Sequence, residues 1–384
     1  MQKRLKIGLV GCGAISGAHL DAYRRLADCF EVAAVCDVVE EKARKRAEEF
    51  GVARVETDVE ALLRMPELDI IDITTPPYLH APMAIAAMEA GKLAFSEKPL
   101  AGSLAEVDQL AEAEARTGKR VMPIFNYRFG FGLQRLKHLM RLGIPGRLFL
   151  STVETHWQRP AGYFSVRWRA SWRAALGGAF IGHAIHAHDA LYEIAGPAKS
   201  VFARGKALVN PTEIEDTLAV SLEMANGSLA ALSVTFGSAV EISRHRYCFA
   251  NLVAESNPAG PYATHTSDPW TFKGVSPEID AQIEQATADF TPEPPEGFVG
   301  QFQRLYDALA CGSELPITIA DGRRAIDLVT GVYYSMHTGQ VVELPIPPGH
   351  PYYAGCIPPD SAPLEEFTDY AGHREKSGWK PTNV

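Results

Sequence analysis

Two groups of residues in this sequence have the types and spacing for chemistry. The first is Glu97-Lys98-Pro99, an acid and a base set before a proline at the end of an apolar run, Leu93 to Ser96. A lysine is ordinarily a solvated surface charge. At the ligand edge of a sheet, beside another cation, its pKa falls and it can carry a proton. The second group spans Trp168 to Asp189. Trp168, Arg169, Trp172 and Arg173 gather aromatic and cationic side chains, the last two reading also as interface packing. His183, His186, His188 and Asp189 follow Gly177 and Gly178, and positions 182, 186 and 189 share one helical face. Two histidines three apart could share a metal, yet no acid or cysteine cluster elsewhere completes the set, so no metal site is expected. His188 reads as a packed or supporting histidine.

The elements that must position these residues begin at the N-terminus. An apolar strand, Leu5 to Val10, enters Gly11-Cys12-Gly13, and a helix is expected to open at Ala14 or Ile15. Gly11 permits a tight turn, Gly13 lets backbone approach a pyrophosphate, and the free N–H groups of the helix start face phosphate charge. The third small position is Ser16, with Gly17 behind it. A second strand, Val32 to Cys36, ends at Asp37, 24 residues past Gly13, where a carboxylate can accept both ribose hydroxyls. A carboxylate repels a 2′-phosphate, and no Arg or Ser follows Asp37 directly, so NAD is expected over NADP. Lys98 would then lie near a cationic nicotinamide.

Strands and helices alternate through the first third: a charged helix Val39 to Phe50, strand Ile70 to Thr74, helix Leu79 to Ala90, strand Leu93 to Ser96, helix Leu104 to Thr117 and strand Arg120 to Ile124. Short apolar runs between helices mean parallel strands covered on both faces. Gly11 to Ser16, Thr74 to His80 and Glu97 to Pro99 fall at the carboxyl ends, where such sheets bind ligands. In the second stretch Thr74, Thr75, Pro76 and His80 form either a plain rigid turn or a wall against the nicotinamide ribose.

After Ile124 the pattern changes. Phe125 to Phe131 reads as a crossing, followed by a helix from Leu133 to Arg141. Strands are expected at Leu148 to Trp157, Ser200 to Leu208, Thr217 to Met224, Leu229 to Thr235 and His245 to Val253, with a hairpin turn at Asn226-Gly227. Asn257 to Gly297 reads as a long surface excursion, Phe298 to Ala310 and Gly322 to Met336 as helices, and the Pro-rich tail from Pro345 as surface packing. The expected architecture is an α/β doubly wound parallel sheet over residues 1–125 and an α+β unit with a large, open, mostly antiparallel sheet over 126–384.

The whole chain sets broader bounds. Its 46% hydrophobic and 22% charged residues are those of a soluble globular protein. A formal net charge of -9 disfavours nucleic acid and anionic membranes as partners, and no apolar run reaches membrane-spanning length. The six cysteines contain no C-x-x-C pair, which suits reduced thiols and a cytoplasmic location.

Taken together, G-C-G-A-I-S at Gly11, T-P-P-Y-L-H at Thr75, E-K-P at Glu97, N-Y-R at Asn126, W-R at Trp168 and G-G-A-F-I-G-H-A-I-H-A-H-D from Gly177 resemble one family. It is that of the glucose–fructose oxidoreductase, inositol dehydrogenase and MocA-like NAD(P)-dependent oxidoreductases, over about residues 5 to 346. The resemblance implies a catalytic Lys98 and an Arg169 that approaches nicotinamide and substrate. It implies substrate contacts from Asn126, Arg128 and His186 and a subunit interface on the outer face of the second sheet; with the family's first acid missing, His183 is expected beside the substrate as well, and His183 or His186 handles the proton with Lys98. The implied reaction is hydride exchange with a secondary alcohol of a sugar, cyclitol or related polyol, with Lys98 and His186 moving the proton. A glycosidase using transient oxidation and a dinucleotide-sensing regulator occur on the same fold. The family's D-x-G-x-H-x-x-D segment is altered here: His186 and Asp189 match, but Gly182 replaces the first acid and Ala184 the inner glycine.

Overall fold

The carboxyl ends of six parallel strands make the floor on which every candidate residue of the first group stands. They belong to a computed structural model that describes residues 3–256 and 266–364. The first part of the expected excursion, 257–265, and the tail beyond 364 lie outside the described residues. Strands β1 (Leu5–Val10), β2 (Phe30–Cys36), β3 (Arg54–Glu56), β4 (Ile70–Ile73), β5 (Leu93–Ser96) and β6 (Val121–Pro123) run in the order 3-2-1-4-5-6. The order reverses between β1 and β4, which opens a crevice beyond their ends. Helices α1 (Ser16–Arg25), α2 (Glu40–Phe50), α3 (Val59–Leu63), α4 (His80–Glu89) and α5 (Leu104–Thr117) cover the sheet. Every residue of β4 and β5 is buried, which is why these strands read as nearly all-apolar runs, interrupted only by Asp72 and closed by Ser96. Strand β3 and helix α3 are too short to leave a periodic signal, and the sequence did not announce them.

The second unit starts with α6 (Phe131–Arg141), β7 (Leu148–Gln158), α7 (Trp172–Ala175) and α8 (Ile185–Ala195). Strands β8 (Ala198–Lys206), β9 (Thr217–Met224), β10 (Leu229–Thr235), β11 (Gly237–Phe249), β12 (Leu252–Ser256) and β13 (Trp270–Gly274) follow. Helices α9 (Pro277–Ala288), α10 (Gly297–Cys311) and α11 (Ile319–Thr338) and a short β14 (Val342–Glu343) complete it. The eight strands are ordered 13-12-11-7-10-9-8-14, antiparallel throughout except where β7 meets β10. Two expectations are corrected here. The strand expected at His245 to Val253 is a hairpin that folds at Ala250 and Asn251, because β11 and β12 pair with each other. The expected excursion contains β13 and α9, whose start is capped by Ser276 ahead of Pro277.

The two units share one core. Helix α10 lays Phe302 against Tyr23 and His19 of α1, with ring centroids 4.7 and 5.3 Å apart. The second unit is thereby held over the crevice of the first. Among the described residues, no helix is long and apolar enough to cross a membrane.

Candidate active site

A cleft of about 950 Å³ opens at the β1/β4 reversal and is roofed by the second unit, at the upper end of the usual range for ligand pockets. Gly11 and Gly13 play different parts in its floor. Gly11 sits at φ +94°, and a Cβ there would lie 2.7 Å from the Thr74 backbone. At Gly13 a Cβ would meet nothing, so the turn presents bare backbone to the cleft. Helix α1 begins at Ser16, two residues later than the earliest expectation, leaving Ala14 and Ile15 in the lining turn. Asp37 ends β2 with its carboxylate fixed by the N–H groups of Cys12 at 2.8 Å and Val39 at 2.9 Å. Each oxygen keeps lone-pair capacity for a further donor. Lys42, Lys45 and Arg46 line the same end. Arg46 donates to Ser16 Oγ at 3.1 Å and to the Gly13 carbonyl at 3.0 Å. Reading only the residue after Asp37 therefore missed three cations that α2 brings to this end one to two turns later.

Beyond β4, the Thr74 hydroxyl donates to the Gly11 carbonyl at 2.5 Å and closes the turn onto β1. Thr75, Pro76 and His80 line the cleft. The His80 ring bridges the carbonyls of Pro99, 2.7 Å, and Thr75, 2.9 Å, tying this turn to the one that carries Lys98. Burial lowers the His80 pKa, so the ring is neutral and donates to one of the two carbonyls at a time.

Lys98 stands at the end of β5, and its Nζ donates to the Gly182 carbonyl at 2.6 Å. Burial lowers its pKa from the usual lysine value, with the Glu97 carboxylate opposing. Glu97 does not face the cleft as a free acid. One oxygen meets His19 Nε2 at 3.1 Å and the other accepts the Lys98 backbone N–H at 3.0 Å. His19 is fully buried, its Nδ1 meets Asp72 at 2.9 Å, and the Tyr23 hydroxyl donates to the same carboxylate at 3.0 Å. Burial works against a charge on His19, but Asp72 and Glu97 raise its pKa to about 10. For Glu97 burial is likewise outweighed: the hydrogen bond from His19 and the charges of Lys98 and His19 hold it at about 2. A stable ion chain thus lies under the lysine. Sequence reading did not find it, because its members are separated by up to 78 positions.

The opposite wall comes from the second unit. A 3-10 turn, Arg167–Ala170, places Trp168 and Arg169, and another, Ala161–Ser165, places Tyr163 and Phe164. A π-helical turn, Phe180–Ala184, then leads into α8 and presents Gly182, His183 and His186. Such turns displace side chains from regular helical register and recur at functional sites. It is anchored by Glu215, which accepts from the N–H groups of Gly178 at 2.7 Å and Phe180 at 3.0 Å and from the Tyr333 hydroxyl at 3.0 Å. Gly178 must be glycine, since a Cβ would lie 1.8 Å from the Glu215 carbonyl oxygen. His186 is stacked on Tyr127 at 4.8 Å, and burial, then the Lys98 charge, lowers its pKa to about 3. His183 meets the Tyr163 hydroxyl at 3.1 Å, and its pKa is held well below the usual imidazole value by burial first and then by the charges of Lys98, Arg159 and Arg169. Both imidazoles are neutral across the ordinary pH range. His188 lies away from the cleft, packed on Phe180 at 4.1 Å.

Among the described residues, five buried polar atoms along the cleft have no partner: Thr75 Oγ1, Asn126 Oδ1, Arg169 Nε, His183 Nδ1 and His186 Nδ1. Buried polar groups are normally hydrogen-bonded, so orphans gathered around one cavity are groups that a polar ligand can satisfy. Bare backbone at Gly13, a fixed acid at Asp37 and these orphans fit a dinucleotide laid across the strand ends with a small polar substrate beside it. Among the described residues, no group of three or more His, Cys, Asp or Glu side chains could hold a metal ion.

Two family descriptions match the chain: an oxidoreductase family with an NAD-binding Rossmann fold over residues 5–125, and the GFO/IDH/MocA C-terminal domain over residues 133–248. The chain belongs to the Gfo/Idh/MocA oxidoreductase family. Its curated relatives include the oxidoreductase YrbE of Bacillus subtilis, 27% identical over 90% of this chain and 98% of the relative. Another is the D-glucoside 3-dehydrogenase of Escherichia coli, 25% identical over 88% of this chain and 97% of the relative. The WlbA dehydrogenase of Bordetella pertussis, solved in complex with NADH and UDP-GlcNAcA, superposes with a TM-score of 0.79. That structure is 26% identical and covers 90% of this chain and 100% of its own.

Within the Gfo/Idh/MocA pattern, two site features differ from expectation. The Gly182 position offers Lys98 a main-chain carbonyl in place of a side-chain acid. Arg128, expected to touch substrate, is not among the cleft residues. It is drawn into the interior, where its fork meets Asp189 at 2.5 and 2.7 Å, Asp321 at 3.0 Å and Glu193 at 3.3 Å. Three carboxylates hold a guanidinium more strongly than an open cleft can. Asp189, the last member of the family segment, is thereby a framework residue, and Asp321 also caps α11 through Thr318. Trp172 is internal, its indole N–H donating to the Glu213 carbonyl at 2.8 Å. Tyr127, Trp157, Tyr163 and Phe236 line the cleft without having been singled out. Only the N-Y-R motif carried a local signal, for Tyr127.

Proposed function

We propose that this protein is an NAD-dependent dehydrogenase acting on a secondary alcohol of a sugar, cyclitol or related polyol. The observation that carries the reading is a half-buried lysine, lowered in pKa, at the strand-end crevice and beside two neutral, partly unpartnered histidines. A D-glucoside 3-dehydrogenase among its relatives, and NADH with UDP-GlcNAcA in the WlbA structure, support the same class of chemistry.

The bound nicotinamide would supply the two-electron exchange. The chain does the rest. Gly11, Gly13, Ala14 and Ile15 seat the dinucleotide phosphates and Asp37 the adenosine ribose. Thr74, Thr75, Pro76, His80 and Glu97 shape the wall next to Lys98, with Trp168 and Arg169 closing over it. Lys98 Nζ takes the proton of the substrate hydroxyl during oxidation and returns it in reduction. His186, neutral and fixed by stacking, hydrogen-bonds the same hydroxyl and orients it toward Lys98. Asn126 and His183 bind further substrate hydroxyls. Carboxylates that hold the His19 imidazolium beneath Lys98 keep that charge from weakening its basicity.

The test is a screen of sugars, cyclitols and glycosides with NAD⁺, followed by the near-ultraviolet absorbance of the reduced nicotinamide. Accumulation of reduced cofactor with a polyol supports the reading. Release of free sugar from a glycoside with no net reduction would point to transient oxidation, and no reaction with cofactor still bound would point to a sensor.

A further inference from the structure

The substrate end of the cleft is rich in positive charge and short of negative charge. Lys98 and Arg169 both line it. Arg169 lies over the Tyr163 ring at 4.2 Å, donates to the Tyr163 carbonyl at 3.2 Å, and keeps its buried Nε without a partner. No carboxylate among the described residues pairs with it. Among the described residues, the two acids that line the cleft are accounted for elsewhere: Asp37 belongs to the far end, and both oxygens of Glu97 are taken by His19 and the Lys98 backbone. The position that would carry an acid is Gly182, and a Cβ built there meets nothing within 4 Å. A space open to the cleft therefore lies beside Lys98 where a side-chain carboxylate is absent.

The unpartnered Asn126 Oδ1, Thr75 Oγ1 and imidazole nitrogens can meet neutral hydroxyls, whereas Arg169, with no carboxylate partner among the described residues, is matched in charge only by an anionic acceptor such as a carboxylate. Arginine matches that acceptor with a planar fork. Resting on the dehydrogenase reading above, we propose that the preferred substrate is an acidic sugar or polyol. Its carboxylate is held by Arg169 and reaches into the space over Gly182, so that the ligand brings the charge the chain lacks. Low polarity strengthens such a contact, because the neighbouring wall is Trp157, Tyr163 and Phe236. The depression of His183 by Lys98, Arg159 and Arg169 reports the same positive field, after burial has had its larger effect.

Calorimetric binding to the full chain with NADH present reads this independently of turnover. The probes are D-glucuronate and D-galacturonate against D-glucose and D-galactose, with glucose 6-phosphate as a second anion. The uronates should bind at least about tenfold more tightly than their neutral parents, as charge-assisted hydrogen bonds imply. Arg169→Met should remove most of that difference. Gly182→Asp, which fills open space, should do the same by setting a fixed carboxylate in the way. Equal affinity, preference for the neutral sugars, tighter binding of the phosphate than of the uronates, or no binding by any probe would overturn the proposal. Turnover of the same panel with NAD⁺ separates the two readings. Tight binding of the uronates with no member of the panel oxidised retains the ligand class and sinks the dehydrogenase, while oxidation of the neutral sugars with the uronates neither preferred in binding nor oxidised does the reverse.

Discussion

Lys98 Nζ donates to the main-chain carbonyl of Gly182 at 2.6 Å, joining a strand end of the first unit to a π-helical turn of the second. A main-chain carbonyl carries no net charge, so it orients the lysine without stabilising its charged form as a carboxylate would. The lysine keeps the pKa that burial and Glu97 set between them. The hydrogen bond also links the lysine's geometry to the closure of one unit over the other.

The cofactor end is tested by Asp37→Ala. Loss of an acceptor for ribose hydroxyls should weaken NAD by about ten- to a hundredfold and narrow its advantage over NADP. Lys42, Lys45 and Arg46 nearby would then favour the extra phosphate. Equilibrium titration of both cofactors on wild type and variant measures this, and a wild-type preference for NADP would remove the Asp37 assignment.

Proton transfer is tested by Lys98→Met. Cofactor affinity should persist while turnover falls by about 10²–10⁴-fold, the usual contribution of a general acid–base group. In the wild type, alcohol oxidation needs the neutral amine, so kcat/KM should rise with pH and level off once Lys98 has lost its proton, below the ordinary lysine value. Glu97 raises that pKa, so Glu97→Gln should move the rising limb to lower pH. A limb unmoved by Glu97→Gln would assign it to another group.

The two cleft histidines separate by kinetics. His186→Ala should lower kcat strongly, and His183→Ala should mainly raise KM, as expected of a residue that binds substrate without favouring the transition state. With the His186 pKa at about 3, neither change should introduce or remove a limb near neutrality. Chelators should alter neither variant nor the wild type, and loss of activity on chelation would call for a metal instead.

Arg128→Met leaves Asp189 and Asp321 buried without their shared cation. Breaking a buried ion pair in this way costs on the order of 3–5 kcal/mol. Denaturant unfolding should show that loss, while KM of the fraction that remains folded changes little. A large KM effect at unchanged stability would return Arg128 to the substrate.

The glycine-rich turn, Asp37 and the Glu97-Lys98-Pro99 segment were legible without a structure because each sits where one strand stops. A parallel sheet brings such ends to one edge whatever the distant chain does. Strand alternation likewise located β9 and β10 to the residue. Other features depend on partners far away in the sequence. Arg128 looks like a cleft residue beside Asn126 until Asp321, 193 positions on, helps to draw it inward. The charge on His19 exists only because Asp72 and Glu97 flank it at the closed sheet. Gly182 showed in the sequence as a missing acid. That its carbonyl meets Lys98, and that open space lies where the acid would stand, were decided by the π-helical turn and by α10 packing against α1, because directions and voids are set by three-dimensional closure and leave no period in the chain.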